Sequence, residues 1–343
     1  MSSRTPPPPR AQPPPPKGRG AQPFVESRSN APAYFSESQL PSCKSGFYTT
    51  QQEKTTRRKT CRFLEEAGRV LKLPRVTIST SMVFFHRFYA VHSFEEHDRF
   101  EVAVACILLA AKTEESPKKL VSILQECFRL KNNAMKNKTP QEGVKLDKRG
   151  YLDMKCQEYT RLKERILLLE RVILHTIGFE LSISHPYIHF GKIKKMVLSN
   201  ELEYISSPGT QLSREEMGRM LNQLTQYSMN FANDSMHTSL CLQYPPDTIA
   251  YACIYLSGQF CKLRPSGGKD WLDILDASIE DLASIGIQMM ELIADKKGMD
   301  ESIFKSIRAE LDKMKKKVEG DGNAGTRRPT PSSAGGDAKR SRN

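Results

Sequence analysis

From about residue 56 to residue 318, apolar side chains recur every three or four positions, the spacing of one face of an α-helix. No long apolar–polar alternation argues for a strand. Residues 56–72 place Phe63, Leu64, Ala67, Val70 and Leu71 on one face and stop before Pro74. Residues 77–91 carry Met82, Phe85, Phe88 and Tyr89. Residues 99–113 are the most apolar, and the ten from Val102 to Ala111 have no polar side chain. Ser116-Pro117 reads as an N-cap with proline at the first helical position, opening a helix through Leu130. A lysine-rich loop is predicted at 131–150, then a long helix from about 153 to Ile177, ended by Gly178.

A second half begins near His185. Ser213-Arg214-Glu215-Glu216 is a capping box that opens a helix to about Asn233. Pro245-Pro246 precedes a helix at 247–261, and Asp276 to Ile293 predicts another. At 301–318, Phe304, Ile307, Leu311, Met314 and Val318 form an apolar stripe that must dock on this chain or on a partner. The predicted class is all-α.

The halves share a repeat. "AVACILLAAK" (Ala103 to Lys112) aligns with "AYACIYLSGQ" (Ala250 to Gln259), matching Ala103, Ala105, Cys106, Ile107 and Leu109 to Ala250, Ala252, Cys253, Ile254 and Leu256. One long repeat implies two copies of a helical domain. Only the first copy ends in a charge, Lys112, where the second has Gln259. In the 153–177 helix, Glu170 lies along the edge of the stripe Leu162, Ile166, Leu169, Ile173 and Ile177. A carboxylate there needs a partner, and Lys112 could supply it. The spacing alone leaves two readings open, an internal ion pair or a charged pair presented to another chain.

Composition narrows the function. The longest apolar run is too short to span a bilayer, and the Pro-rich start shows no secretory signal. Eight cysteines without a CxxC pair predict a reduced intracellular protein with neither a disulfide framework nor a zinc site. Of the net +13, residues 1–30 carry +4, residues 296–343 carry +6 and residues 131–149 carry +4, so the rest is close to neutral. A folded basic groove for nucleic acid is therefore not indicated. "PPPPRAQPPPP" and the Gly, Ser and Arg-rich 320–343 predict disordered tails. "KMKKK" (Lys313 to Lys317) and "KRSR" (Lys339 to Arg342) suit solubility or nuclear import, and Thr330-Pro331 is a weak phosphosite signal. His185 and His189, four apart, have no third partner and are not expected to bind metal. No phosphate loop, nucleophile set or paired carboxylates point to an enzyme, and no cofactor is implied.

"FFHRFY" (Phe84 to Tyr89), "LLAAKTEESPKKL" (Leu108 to Leu120), "LERVILHTIGFEL" (Leu169 to Leu181) and "NDSMHTSLCLQYPPDTIA" (Asn233 to Ala250) resemble the transcriptional cyclins, the K, T and L types most. The resemblance spans about 45–295. It implies two tandem cyclin boxes of five helices, at 41–182 and 183–295, flanked by tails at 1–40 and 320–343 and a helix at 296–319. It further implies a cyclin-dependent kinase of the 9/12 type as partner, the RNA polymerase II C-terminal repeat as that kinase's substrate, and a nuclear role in transcription elongation. Lys112 and Glu170 match the pair that holds the kinase's regulatory helix, with Phe84, Leu120 and Phe128 as further contributors to that surface. Arg57 matches a structural arginine whose usual aspartate partner is replaced by His86. Thr56, Thr60 and Phe63 stand where cell-cycle cyclins carry a substrate-docking patch, so that patch is expected to be absent. The 131–150 insertion is more L-like, and a splicing role is the alternative. A DNA-binding transcription-factor core is a further alternative, disfavoured by the missing zinc ribbon.

Overall fold

The structure, a computed structural model, describes residues 37–134, 144–210, 212–294 and 301–324, with side chains of the last stretch described over 302–316. Most of 1–40, Thr139-Pro140, Thr330-Pro331 and "KRSR" fall outside these residues. Glu37–Gln39 already form a single 3-10 turn, and Leu40 is buried, so ordered packing starts inside the stretch expected to be a tail.

The first bundle consists of α1 (Pro41–Lys44), α2 (Thr50–Val70), α3 (Arg75–Phe88), α4 (Arg99–Thr113), α5 (Leu120–Ala134) and α6 (Gln157–Thr176). Helix α4 is apolar on every side from Val102 to Ala111 and every one of those residues is buried. A helix with no polar face must be surrounded, and α2, α3, α5 and α6 all pack on it. Asp98 caps it, accepting from the amides of Phe100 and Glu101 at 3.0 Å each. Helix α2 starts earlier than the apolar pattern suggests, because Thr49 and Gln52 form a capping box ahead of the first apolar position.

Ser116-Pro117 does not open α5, which begins at Leu120. Instead Ser116 closes α4. Its amide donates to Ala111 O at 2.9 Å, the Glu115 amide donates to Lys112 O at 3.4 Å, and Glu115 sits at φ 48°. This double bond back over a left-handed residue is a helix stop. The Ser116 hydroxyl is 2.9 Å from that of Thr77, which fixes the stop against α3.

The second bundle holds α7 (Gly191–Leu198), α8 (Arg214–Ser235), α9 (Pro246–Phe260), α10 (Trp271–Leu275), α11 (Ile279–Ala294) and α12 (Glu301–Ala324). The Ser213–Glu216 capping box is present in full. Two three-residue strands, β1 (Leu202–Tyr204) and β2 (Leu263–Pro265), pair antiparallel with Leu202 opposite Pro265. They are too short to show as alternation in sequence. The helix predicted from Asp276 is present as α11 but starts at Ile279, because Asp276 adopts φ 53° and instead ends the short α10 before it. Helix α12 docks on this chain, against α11 and α9, and extends to Ala324 rather than ending near 319. Ile307 and Leu311 of its stripe are buried. The approach is close, because a Cβ on Gly286 of α11 would lie 2.7 Å from Leu311 Cδ2.

A buried arginine joins the bundles. Arg57 is 1% exposed and sits in α2 beside Glu53, which is 2% exposed. Its Nε donates to Glu53 Oε1 at 2.9 Å, and Nη2 bonds the same carboxylate. Its Nη1 lies 3.1 Å from His86 Nδ1, and Nη2 donates to Tyr89 O at 3.2 Å. An arginine only donates, so His86 Nδ1 accepts and the His86 proton sits on Nε2. That proton goes to Met236 O in the second bundle, at 2.9 Å. His86 thus turns the arginine's first-bundle site into a bond across the bundles. Around it, Arg75 donates to Asn233 Oδ1 at 2.8 Å and to Glu65 Oε1 at 2.7 Å, while His237 meets Glu65 at 3.0 Å. The bond to His237, then the bond to Arg75, hold the Glu65 carboxyl down at about 2 against opposing burial.

Burial, then the Arg57 charge, push His86 down to about 3 from an ordinary 6.5. The unfolded chain therefore binds a proton below pH 6.5 that the folded chain refuses. Stability from this group is complete above that pH and falls as pH drops from about 6.5 toward 3. Urea midpoints should decline between pH 7 and pH 5, and His86→Gln should flatten that decline while lowering stability throughout. Separately, Leu311→Ala should lower the stability of the second bundle by about 2–5 kcal/mol, read by calorimetry.

Candidate functional site

Two helices of the first bundle deliver one residue each. Helix α4 carries Lys112 in its last turn, where a cation also favours the helix dipole. The helix stop at Glu115–Ser116 ends the apolar run there, so the ammonium leaves the core within one turn. Helix α6 buries Ile166, Leu169 and Ile173, which turns Glu170 along the same seam. Lys112 Nζ donates to Glu170 Oε1 at 2.6 Å.

The pair is asymmetric. The lysine side chain is 53% exposed and the glutamate 10%. An ion pair with one half in water holds a fold only weakly, typically by about 0.2–1 kcal/mol. An ammonium has three donors and a carboxylate two acceptor oxygens, so one bond leaves capacity on both. The arrangement offers a donor and an acceptor side by side, held rigidly, at the rim of an apolar seam. That is suited to the polar main-chain groups of another chain.

The second bundle supplies a comparison within the same molecule. Gln259 ends α9 as Lys112 ends α4. There α12 lies across α9 and α11, and Gln259 Nε2 donates to Glu310 Oε1 of α12 at 3.3 Å. The third and fifth helices of that bundle are thus covered by a helix of the chain itself. In the first bundle the corresponding helices are α4 and α6, and between them the Lys112–Glu170 pair reaches solvent.

The other expected site residues divide. Leu120 and Phe128, both on α5, are half-buried against the first core. Phe84 is fully buried and does not face outward, on a helix, α3, that packs against α4. Arg57 and His86 are interior, in the bridge between bundles. Thr56, Thr60 and Phe63 are buried as well. Glu114 accepts from the Thr80 hydroxyl at 2.7 Å, and His185 Nε2 donates to Thr80 Oγ1 at 2.8 Å. His185 is therefore committed to the link between bundles. Leu167 and Leu174, three before and four after Glu170, are half-buried on its side of α6. They were not singled out from sequence, although their spacing from Glu170 was a usable signal.

Among the described residues no helix is long and apolar enough to cross a membrane. The cyclin N-terminal domain profile matches residues 31–182, and a cyclin-T2-like C-terminal domain profile matches residues 210–292. The chain is 35% identical over 248 residues to cyclin-T1-3 of Oryza sativa subsp. japonica, covering 71% of this chain and 44% of that one. It is 31% identical over 247 residues to cyclin-L1 of Danio rerio, covering 72% and 43%. It therefore spans less than half the length of these relatives. A chain in the crystal structure of the yeast RNA Pol II CTD kinase CTDK-1 complex shares the fold, with a TM-score of 0.56 at 16% identity over 88% of this chain and 86% of that chain.

If the Lys112–Glu170 pair serves a partner rather than the fold, removing it should leave the free chain nearly unchanged. Lys112→Ala combined with Glu170→Gln, which leaves no carboxylate unpaired, should shift unfolding free energy by less than about 1 kcal/mol. Arg57→Ala, which strands the buried Glu53, should cost about 3–5 kcal/mol. Urea denaturation of the two variants measures both.

Proposed function

The chain belongs to the cyclin family, as a transcriptional cyclin of the K, T and L kind, and from that membership we propose that it is the regulatory subunit that binds and activates a cyclin-dependent kinase of the 9/12 type. The complex would phosphorylate the C-terminal repeat of RNA polymerase II in the nucleus and promote elongation. The observation that carries the reading is the exposed Lys112 bonded to the buried Glu170 at the open seam between α4 and α6.

In this mechanism the chain performs no bond chemistry of its own. Lys112 and Glu170 take up main-chain groups at the kinase's regulatory αC helix. Leu120 and Phe128, with Leu167 and Leu174, supply apolar contact beside them. The bound helix is held inward, where the kinase's own Lys–Glu ion pair and activation segment come together. Activation is then a shift in population toward a kinase conformation that this surface prefers. The rigidity of α4 matters here, because a surface that yielded would transmit less of that preference.

An L-type role in splicing uses the same kinase-facing surface and differs in substrate. The likeness to cyclin-L1, similar in extent to that with cyclin-T1-3, keeps it as the second reading. Affinity capture of the full chain from nuclear extract, followed by identification of the kinase and assay on a polymerase repeat peptide, separates the two. The expected result is a 9/12-type kinase whose activity on the repeat depends on this chain. The double variant Lys112→Ala, Glu170→Ala should lose at least tenfold of that activation while keeping its helical circular dichroism. Undiminished binding and activation by the folded double variant would refute the interface.

A further inference from the structure

The turn between α3 and α4 contains a side-chain cluster that the kinase-facing surface does not use. His92, Glu96 and His97 each offer a ligand atom, and these atoms all lie within 4.8 Å of one another. Phe88 forms the floor, with its ring stacked on His92 at 4.5 Å between centroids and edge-on to His97 at 5.3 Å. The Tyr89 hydroxyl donates to His97 O at 3.0 Å and fixes the backbone of the turn.

Proton positions constrain the cluster further. The Thr176 hydroxyl has one hydrogen, and it goes to Val172 O at 2.8 Å. His92 Nε2 is 3.1 Å from Thr176 Oγ1, so that oxygen must accept and the His92 Nε2 must carry a proton. The other nitrogen, Nδ1, lies 3.0 Å from Glu96 Oε2. In a neutral imidazole this would set a lone pair against a carboxylate. A cation has to belong between them, either a second proton or a metal ion. A proton would join His92 to Glu96 alone, although a ligand atom of His97 lies within 4.8 Å of both. A metal ion would use all three groups.

We propose that His92, Glu96 and His97 bind a first-row divalent metal ion, with zinc the best match to two imidazoles and one carboxylate. Thr176 orients the His92 ring from its far nitrogen, as outer partners of metal-bound histidines commonly do. Glu96 is exposed, so water completes the coordination. The bound ion would fasten the α3–α4 turn, and with it the start of α4, to the end of α6. Sequence reading passed over the set because a His-x3-Glu-His spacing converges only once the turn has folded.

The test uses the full chain, stripped with a chelator and titrated with Zn2+ against a chromophoric competitor, then with Co2+. The expected result is one saturable equivalent, with cobalt showing visible ligand-field bands and no intense thiolate charge-transfer band. Glu96→Gln and His97→Ala should each weaken binding at least tenfold. Thr176→Val should weaken it by about 10–100-fold. Zinc should raise the melting temperature of the parent chain but not of Glu96→Gln, an exposed substitution whose fold is checked by circular dichroism. Three outcomes overturn the proposal: no saturable binding, binding undiminished in the folded variants, or a thiolate band that places the metal on cysteine. A fourth is ring NMR in which His92 is a simple imidazolium and zinc perturbs neither histidine.

Discussion

Two bundles can share one chain without sharing a fixed geometry. What fixes it here is the guanidinium of Arg57, buried in the first bundle and answered by Glu53, His86 and two backbone carbonyls. A buried cation is strongly unfavourable unless every donor is met. Meeting them orients His86, and His86 spends its remaining proton on Met236 of the second bundle. The charge that must be neutralised inside one domain thereby dictates where the other domain sits. Asn233 and His237, from the same stretch as Met236, reach back to Arg75 and Glu65. Three residues of "NDSMH", Asn233, Met236 and His237, thus contact the first bundle.

Much of this was legible in the sequence because burial leaves a periodic trace. The ten-residue apolar run could only be a surrounded helix, and the repeat of its small and apolar residues announced a second copy. The Ser213–Glu216 capping box was readable because its chemistry is local. Features that need two distant segments were not. Ser116 looked like a helix start by its neighbour Pro117, but its bonds run to Ala111 and Thr77, so it ends the previous helix. Phe84 was placed at a surface by resemblance, whereas α3 lies against α4 and buries it. Asp276 ends α10 rather than opening α11, through a backbone conformation that no side-chain pattern reports. The carboxylate partner of Arg57, Glu53, lies four residues earlier on the same helix, a spacing that was a usable signal. The bond to His86 was not readable, since it depends on a tautomer matched to a carbonyl 150 positions further along the chain.

The candidate site shows how charge and burial can be reconciled at a helix end. The core demands an apolar α4, and the helix stop at Glu115 turns the chain before the next residues must also be buried. Glu114 is used internally, by Thr80 and through it His185. Lys112 is only partly used, by a carboxylate that the core keeps from moving. A structural charge and an available one therefore stand two residues apart, and their partners distinguish them.

Helix α12 has a consequence of a different kind. Because it is tethered to the bundle it covers, it meets α9 and α11 at the effective concentration of a short intramolecular connection, on the order of millimolar. A free helix competing for that seam would have to exceed this local concentration or bind correspondingly more tightly. The first bundle has no such competitor among the described residues. Duplication of one domain has thus produced two seams of related build with unequal thresholds for occupation, and the length of chain after α11 sets the difference.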